Sequence, residues 1–174
     1  PEMSEGRQHR YAPGRVREYL ERLDASAPRI DFRGLAGDES ETLDAEMTPA
    51  AVLIPLTVVD GRLEAVFTKR PDSMAEHSGQ VSFPGGRAEK EDDNLDATAL
   101  RESHEEIGLV PDDVHVFGKL LRMPTVTGYD VAVFVGEFDQ PYELSDESRE
   151  IETIFTAPLD ALGDEDRHRT EQRT

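Results

Sequence analysis

The chain has 174 residues, which is enough for one domain of ordinary size but not for two. Its 19 Lys and Arg against 38 Asp and Glu give a net charge of −19, which argues against nucleic acid or an anionic membrane surface as the main partner. Cysteine is absent, so disulfides, thiolate catalysis and zinc–thiolate sites are excluded, and any bound metal must be held by oxygen or imidazole ligands.

The sequence also bears on where the protein works. No segment resembles a secretory signal, and no apolar run approaches the 18 residues of a membrane span, so a cytoplasmic protein is expected. Only three of the 19 basic residues are lysines. This acid-rich and lysine-poor composition favours a halophilic protein, because concentrated salt screens repulsion between like charges. An ordinary acidic mesophilic protein remains the alternative.

The first 49 residues are predicted to form an N-terminal extension. Val16, Tyr19, Leu20 and Leu23 recur at helical spacing and predict a short amphipathic helix over residues 14–25 that packs on the core. The acidic stretch that follows, residues 34–49, has no periodicity and is interpreted as a linker.

Two strands are predicted at the start of the main domain, which is expected to span residues 50–162. The apolar stretches 51–59 and 63–68 flank Asp60-Gly61, a typical hairpin turn. Pro55 cannot donate a ladder hydrogen bond, which predicts that the first strand is an edge strand or a bulged one. The polar connection that follows, residues 69–94, is long enough to indicate a functional loop.

The most regular pattern predicts a helix over residues 95–107. Asp93 or Asn94 can cap its first turn, and Gly108 suits the left-handed position at its end. The remaining elements are predicted in chain order: strands over 114–121 and 131–138, the second apolar enough to lie inside a sheet, the start of a short helix at 157–162, and a polar C-terminal tail over 163–174, frayed or truncated.

That helix carries three glutamates on one side. At 100° per residue Glu102, Glu105 and Glu106 fall within an arc of about 100° beside the buried face. Their mutual repulsion destabilises the helix unless something compensates, and a hard divalent cation such as Mg²⁺ suits oxygen ligands and a phosphate substrate. The alternative is a solvated acidic face. The preceding Gly85-Gly86 pair lets backbone amides approach an anion, which favours a site.

Residues 86–109 resemble the Nudix box, G-x5-E-x7-R-E-U-x-E-E-x-G-U with U apolar. The segment Arg101-Glu102-Ser103-His104-Glu105-Glu106-Ile107-Gly108 contains its whole R-E-x-x-E-E-x-G core. Ser103 takes a position that is usually apolar. One extra residue precedes Arg101, and Asp92 or Asp93 stands where a Glu is usual. A Nudix branch of coenzyme A diphosphatases carries the same expansion.

An upstream signature of that branch is kept in part. The matching residues are Thr68, Arg70, Gly79, Phe83, Pro84, Gly85 and Gly86. Ala75 replaces the second arginine of the signature, Pro71 replaces its serine, and Val66-Phe67 replaces its two leucines. An arginine can bind a phosphate group with two hydrogen bonds, and Ala75 cannot make this contact.

The resemblance implies an α/β protein, a Nudix-like α/β/α sandwich around a mixed β-sheet, with Mg²⁺ or Mn²⁺ as cofactor. Carried over by position, the metal ligands are Glu102, Glu105 and Glu106, with Glu102 also a candidate base, and Arg101 orients them. Substrate-binding candidates are Arg70, His77, Gly85, Gly86 and Arg87. One more acidic residue is expected downstream, and Glu147, Glu150 and Glu152 all remain candidates.

The expected function is hydrolysis of coenzyme A or a derivative to 3′,5′-ADP and 4′-phosphopantetheine. Hydrolysis of another nucleoside diphosphate derivative, such as ADP-ribose, is the alternative among enzymes. A non-catalytic Nudix-fold binding module is a further alternative, although it has no need of three intact glutamates. The expected partner is therefore a small molecule, and the oligomeric state is left open, with a homodimer as one option.

Overall fold

The computed structural model describes residues 11–23, 47–71, 79–125, 127–146 and 151–169. Within these ranges one mixed sheet contains seven strands. They are β1 (Thr48–Val59), β2 (Arg62–Lys69), β3 (Val81–Ser82), β4 (Gly85–Arg87), β5 (His115–Pro124), β6 (Tyr129–Glu137) and β7 (Thr153–Pro158). The helices are α1 (Pro13–Leu20), α2 (Leu95–Ile107) and the single turn α3 (Leu159–Leu162).

The sheet is mixed because β1 and β6 run parallel. The order β3-β2-β1-β6-β5 is extended by β4, which pairs with β1, and by β7, which pairs with β2. All pairings except β1 with β6 are antiparallel. The prediction that the apolar strand over 131–138 lies inside the sheet is confirmed, since β6 lies between β1 and β5.

The prediction that Pro55 marks an edge or bulged strand is wrong, because β1 is central and Pro55 is buried. On one side β1 pairs continuously with β6. On the other side its partner changes from β4, opposite Ala50–Val52, to β2, opposite Leu56–Val59. Alternate residues direct their N–H groups to the same side, and the Leu53 N–H points to the Pro84 carbonyl in this gap, at 3.0 Å. The missing N–H of Pro55 therefore falls in this gap, where β1 has no ladder partner to receive it.

The predicted hairpin is confirmed. Val59 pairs with Arg62, which leaves the two-residue turn Asp60-Gly61. Both turn residues have positive φ, 49° and 76°, as a type I′ turn requires. The adjacent polar connection is not all loop, because its described part contains the short strands β3 and β4, and β7 was not predicted as a strand at all.

A hydrophobic core lies on each face of the sheet. On one face α2 contributes Ala99 and Ile107, which pack with Ala51 and Leu53 of β1. On the other face α1 contributes Val16 and Leu20, which pack with Leu56, Leu63 and Val135. The predicted α/β class, with helices flanking a mixed sheet, is thus confirmed.

Helix α1 begins one residue earlier than predicted and ends at Leu20, not at residue 25. Tyr19 was assigned to its buried face, but the residue is 66% exposed. Residues 24–46, which hold most of the predicted linker, lie outside the described residues. None of the helices within the described ranges is long and apolar enough to cross a membrane.

Candidate active site

Helix α2 has well-defined ends, which fix the positions of its glutamates. The Asn94 side chain accepts a hydrogen bond from the Ala97 N–H at 2.9 Å, so Asn94, not Asp93, is the N-cap. At the other end Gly108 has φ 69°, and its N–H returns to the His104 carbonyl at 2.9 Å. The helix predicted from the sequence is confirmed at both ends.

Strand β4 approaches β1 so closely that Gly85 has no room for a side chain. A Cβ at Gly85 would lie 2.4 Å from the Ala51 carbonyl oxygen and 2.6 Å from the Val52 Cα. These are backbone atoms, which cannot move aside cheaply. Gly85 in turn donates its N–H to Glu106 Oε2 at 3.2 Å, so β4 and α2 are joined through a carboxylate.

Gly86 lies against the second carboxylate of the helix. A Cβ at this position would be 2.4 Å from Glu102 Oε1 and 2.5 Å from Glu102 Cδ. The absence of a side chain therefore creates the space that the Glu102 carboxylate occupies. The two consecutive glycines of β4 thus lie next to the carboxylates of two of the three predicted glutamates.

Arg101 draws together the first two glutamates. Its Nη1 donates to Glu102 Oε1 at 3.1 Å and to both oxygens of Glu105 at 3.3 Å. Its Nη2 donates to the Arg87 carbonyl at 3.0 Å, which connects the helix to the end of β4. Arg101 therefore lies between the carboxylates and the strand and contacts both.

The other edge of the Arg101 guanidinium is bound by Asp92. Nε and Nη2 donate to the two Asp92 carboxylate oxygens at 2.9 and 3.1 Å. Asp92 Oδ2 also accepts from the Glu89 N–H at 2.9 Å and from Thr98 Oγ1 at 2.8 Å. Of the two aspartates left open by the sequence, Asp92 binds Arg101, whereas Asp93 is exposed.

The electrostatics of the cluster follow from these contacts. The Arg101 hydrogen bonds hold the pKa of Asp92 far below its ordinary value, and the pKa of Arg101 is raised correspondingly. Burial raises the pKa of Glu102, and the nearby Arg101 charge offsets only part of this effect. Glu102 is the least exposed of the Arg101-bound glutamates, with 17% of its side chain exposed against 55% for Glu105.

Ser103 occupies the usually apolar position of the motif without leaving its hydroxyl unpaired. The residue is fully buried, and its Oγ donates to the Ala99 carbonyl one turn earlier at 2.7 Å. A small polar residue is therefore compatible with the core beneath α2.

The remaining candidates either make other contacts or lie outside the described residues. Arg87 is exposed, and its backbone carbonyl rather than its side chain contacts Arg101. Arg70 is partly buried, and its N–H donates to the Gln80 carbonyl at 3.0 Å. Glu152 is exposed and pairs with Lys69 at 2.9 Å. His77, Ala75, Glu147 and Glu150 lie outside the described residues.

Sequence reasoning missed two donors to the Asp92 carboxylate, the Thr98 hydroxyl and the Glu89 N–H. Thr98 was read only as part of the helix, and nothing in its spacing from Asp92 marks it. A backbone donor such as that of Glu89 leaves no signature in the sequence. Both become visible only when the connection from β4 to α2 is traced in three dimensions.

The donor chemistry of the cluster fits a hard divalent cation. The three glutamates offer carboxylate oxygens, and Glu102 and Glu106 project towards the adjacent Gly86 and Gly85. Among the described residues no three acidic or histidine side chains already converge as a formed metal site. Arg101 instead neutralises Glu102 and Glu105. A cation bound here would be held by glutamates that Arg101 also contacts.

The fold and site define an α/β protein with an acidic helix held against a glycine strand. A NUDIX domain model matches residues 47–174. An uncharacterized Nudix hydrolase, NudL, from Yersinia pestis is 34% identical over 142 residues, which cover 82% of this chain and 69% of that protein. The chain belongs to the NUDIX family and is a Nudix hydrolase, an enzyme class that acts on phosphoanhydrides and generally uses divalent metal ions.

Solved structures support the same fold. An Ap4A hydrolase from C. elegans in a binary complex is 19% identical, with a TM-score of 0.54 over 65% of this chain and 83% of that one. The NUDIX domain of NrtR from Shewanella oneidensis, complexed with ADP-ribose, is 17% identical, with a TM-score of 0.51 over 84% of each chain. At these identities the similarity concerns the fold alone.

Proposed function

We propose that this chain hydrolyses the diphosphate linkage of coenzyme A or its derivatives, releasing 3′,5′-ADP and 4′-phosphopantetheine. The observation that carries the proposal is the juxtaposition of the Gly85-Gly86 strand with the carboxylates of Glu102 and Glu106. A divalent cation held by these carboxylates would lie beside this strand, where it would bind the oxygens of a diphosphate.

The cofactor in this proposal is Mg²⁺ or Mn²⁺, held by Glu102, Glu105 and Glu106. When bound, such an ion neutralises diphosphate oxygens and acidifies water, which hydrolysis of a negatively charged linkage requires. Arg101 keeps the first two carboxylates in place, and Glu102, whose pKa burial raises, is the proposed base. Arg70, His77 and Arg87 are the proposed contacts to substrate phosphates.

The coenzyme A assignment is supported by the upstream signature, and the described members of that signature have structural roles. Thr68 Oγ1 donates to the Ser82 carbonyl at 3.2 Å, which ties β2 to β3. The Phe83 ring stacks on Phe67 with centroids 4.7 Å apart, and Pro84 is buried and accepts from the Leu53 N–H. These contacts position Gly85 and Gly86, so the signature supports the geometry of the glycine strand.

A substrate panel tests the proposal. With Mg²⁺ or Mn²⁺, the enzyme should release phosphopantetheine from coenzyme A faster than it cleaves ADP-ribose or diadenosine tetraphosphate, as measured by chromatography of the products. Equal or reversed rates would refute the coenzyme A assignment and favour another nucleoside diphosphate derivative. Binding of these compounds without turnover of any would favour the non-catalytic module.

A further inference from the structure

Thr98 is a buried hydroxyl residue that faces the polar network and not only the core. The residue is fully buried in the first turn of α2, and its Oγ1 donates to Asp92 Oδ2 at 2.8 Å. The Asn94 carbonyl lies farther from this hydroxyl, at 3.3 Å, and already accepts the Thr98 N–H at 3.2 Å. Removing the Thr98 hydroxyl would therefore remove a hydrogen bond mainly from Asp92.

Asp92 is held in one orientation by donors on several sides. Oδ2 receives the Glu89 N–H and the Thr98 hydroxyl, while the two oxygens together receive Nε and Nη2 of Arg101. Only 7% of the Asp92 side chain is exposed, so water competes little for these bonds. A carboxylate fixed in this way presents its two oxygens to Arg101 as a rigid pair.

This rigid pair determines where the rest of the guanidinium points. With Nε and Nη2 held by Asp92, the planar group directs Nη1 at Glu102 and Glu105, at 3.1 and 3.3 Å. The chain of contacts therefore runs from a buried hydroxyl, through an aspartate and an arginine, to two of the glutamates that the proposed function assigns to the metal.

We propose that Thr98 is a positioning residue for the active site, and that its hydroxyl fixes Asp92 and thereby the Arg101 guanidinium that arranges Glu102 and Glu105. The inference rests on the proposed metal-binding role of these glutamates but not on coenzyme A as the substrate. Thr98 touches neither substrate nor metal, and its effect is transmitted only through Asp92 and Arg101.

The test compares Thr98→Val, which keeps the shape but removes the hydroxyl, with Thr98→Ser, which keeps the hydroxyl. Ser103→Ala is the matched control, because Ser103 is an equally buried hydroxyl on the same helix whose only described partner is the Ala99 carbonyl. Affinity for Mn²⁺ alone is measured from the free-ion signal in electron paramagnetic resonance, and thermal unfolding is followed by circular dichroism.

Thr98→Val should bind Mn²⁺ about tenfold more weakly than the wild type, whereas Thr98→Ser stays within about twofold. For the best substrate in the panel, kcat should fall by a larger factor than KM changes, because the substrate contacts are untouched. Asp92→Asn should weaken Mn²⁺ binding in the same direction, and it serves as the test if Thr98→Val does not fold.

Unchanged Mn²⁺ affinity in folded Thr98→Val would overturn the proposal, as would an equal loss in Ser103→Ala, which would indicate a general effect of core polarity. Failure of the substrate assignment gives a different result. If coenzyme A is not hydrolysed but Thr98→Val still weakens Mn²⁺ binding, the positioning role stands and the coenzyme A proposal fails.

Discussion

At the scale of single residues, the site depends on the absence of a side chain at Gly86. The space that a methyl group would fill is taken by the Glu102 carboxylate. Gly86 does not have a positive φ, so its importance is steric and not conformational. The Glu102 carboxylate is the end of a flexible side chain, and it can move aside without disturbing the sheet.

Gly86→Ala should therefore leave the protein folded and impair the site. The Cβ would push the Glu102 carboxylate away, and a displacement of about 1 Å at a reacting group can cost about 100-fold in rate. The measurement is kcat on the preferred substrate, with urea unfolding to check the fold. Gly14→Ala is the control, because a Cβ there meets nothing within 4 Å. Full activity of Gly86→Ala would contradict the assigned position of Glu102.

Glu106→Gln tests the proposed ligand set with almost no change of shape. The amide can still accept the Gly85 N–H, but it loses the negative charge that a divalent cation requires. Activity should fall more than about 100-fold with little effect on thermal unfolding. Glu143→Gln removes the same charge from an exposed position, and it should stay near the wild-type rate. Near-normal turnover by Glu106→Gln would refute the ligand assignment.

The sequence predicted that the three glutamates share one side of α2, but it did not predict which residues surround them. Helical periodicity alone groups Glu102, Glu105 and Glu106 on one side, because α2 is long and capped at both ends. The choice between Asp92 and Asp93 depends on how the connection from β4 folds, and periodicity carries no information about that. The same limit hid Thr98, whose apolar surroundings and polar partner lie in different parts of the fold.

At the scale of elements, local patterns predicted well where the structure is local. The hairpin of β1 and β2 and the helix α2 each follow from neighbouring residues. Strand β4, with the sequence Gly-Gly-Arg, has no strand propensity and exists because it pairs with Ala50–Val52 of β1, far away in the sequence. The prediction from Pro55 was wrong for the same reason, since the gap between β4 and β2 beside Pro55 depends on tertiary pairing.

The connection between β4 and α2 should contribute a pH-dependent part of the stability. Arg101 depresses the pKa of Asp92 in the folded protein, so the unfolded chain binds this proton more readily. The contribution is fully present above the unfolded carboxyl pKa of about 4 and is lost as pH falls below it. Asp92→Asn should destabilise the protein at pH 7 by about 1–3 kcal/mol, from the charged hydrogen bonds it weakens.

Urea unfolding of wild type and Asp92→Asn at several pH values checks this expectation. The difference between their free energies of unfolding should narrow as pH drops from 5 to about 3. Comparing the two proteins at each pH cancels the titration of the other carboxylates. Asp93→Asn serves as the control, because Asp93 is exposed and no described contact links it to Arg101. A difference that stays constant or widens towards low pH would contradict the role of Asp92.

At the scale of the whole molecule, several basic side chains join separate elements through ion pairs. Arg17 of α1 pairs with Glu137 of β6, and Arg62 of β2 pairs with the mostly buried Asp160 of α3. Lys69 and Arg122 make similar bridges, to Glu152 and Asp130. With 38 acidic residues against 19 basic ones, a large excess of carboxylates remains to repel one another.

Stability should therefore rise with salt, as the halophile interpretation of the composition predicts. Molar KCl shortens the screening length to about 3 Å, which suppresses repulsion across the surface while close, partly buried ion pairs are screened much less. The melting temperature should increase from 0.1 to 2 M KCl, and each gain of about 1 kcal/mol corresponds to about 2–4 °C for a chain of this size. Calorimetry at both salt concentrations makes the measurement.

A charge-reduced variant separates screening of net charge from general effects of salt on hydration. Asp112→Asn, Glu143→Gln and Glu165→Gln together remove three charges from exposed positions. If self-repulsion is the cause, this variant should melt higher than the wild type in dilute buffer and gain less from KCl, because less repulsion is left to screen. An equal gain in both proteins would assign the effect to hydration, and a wild type most stable in dilute buffer would contradict the halophile interpretation.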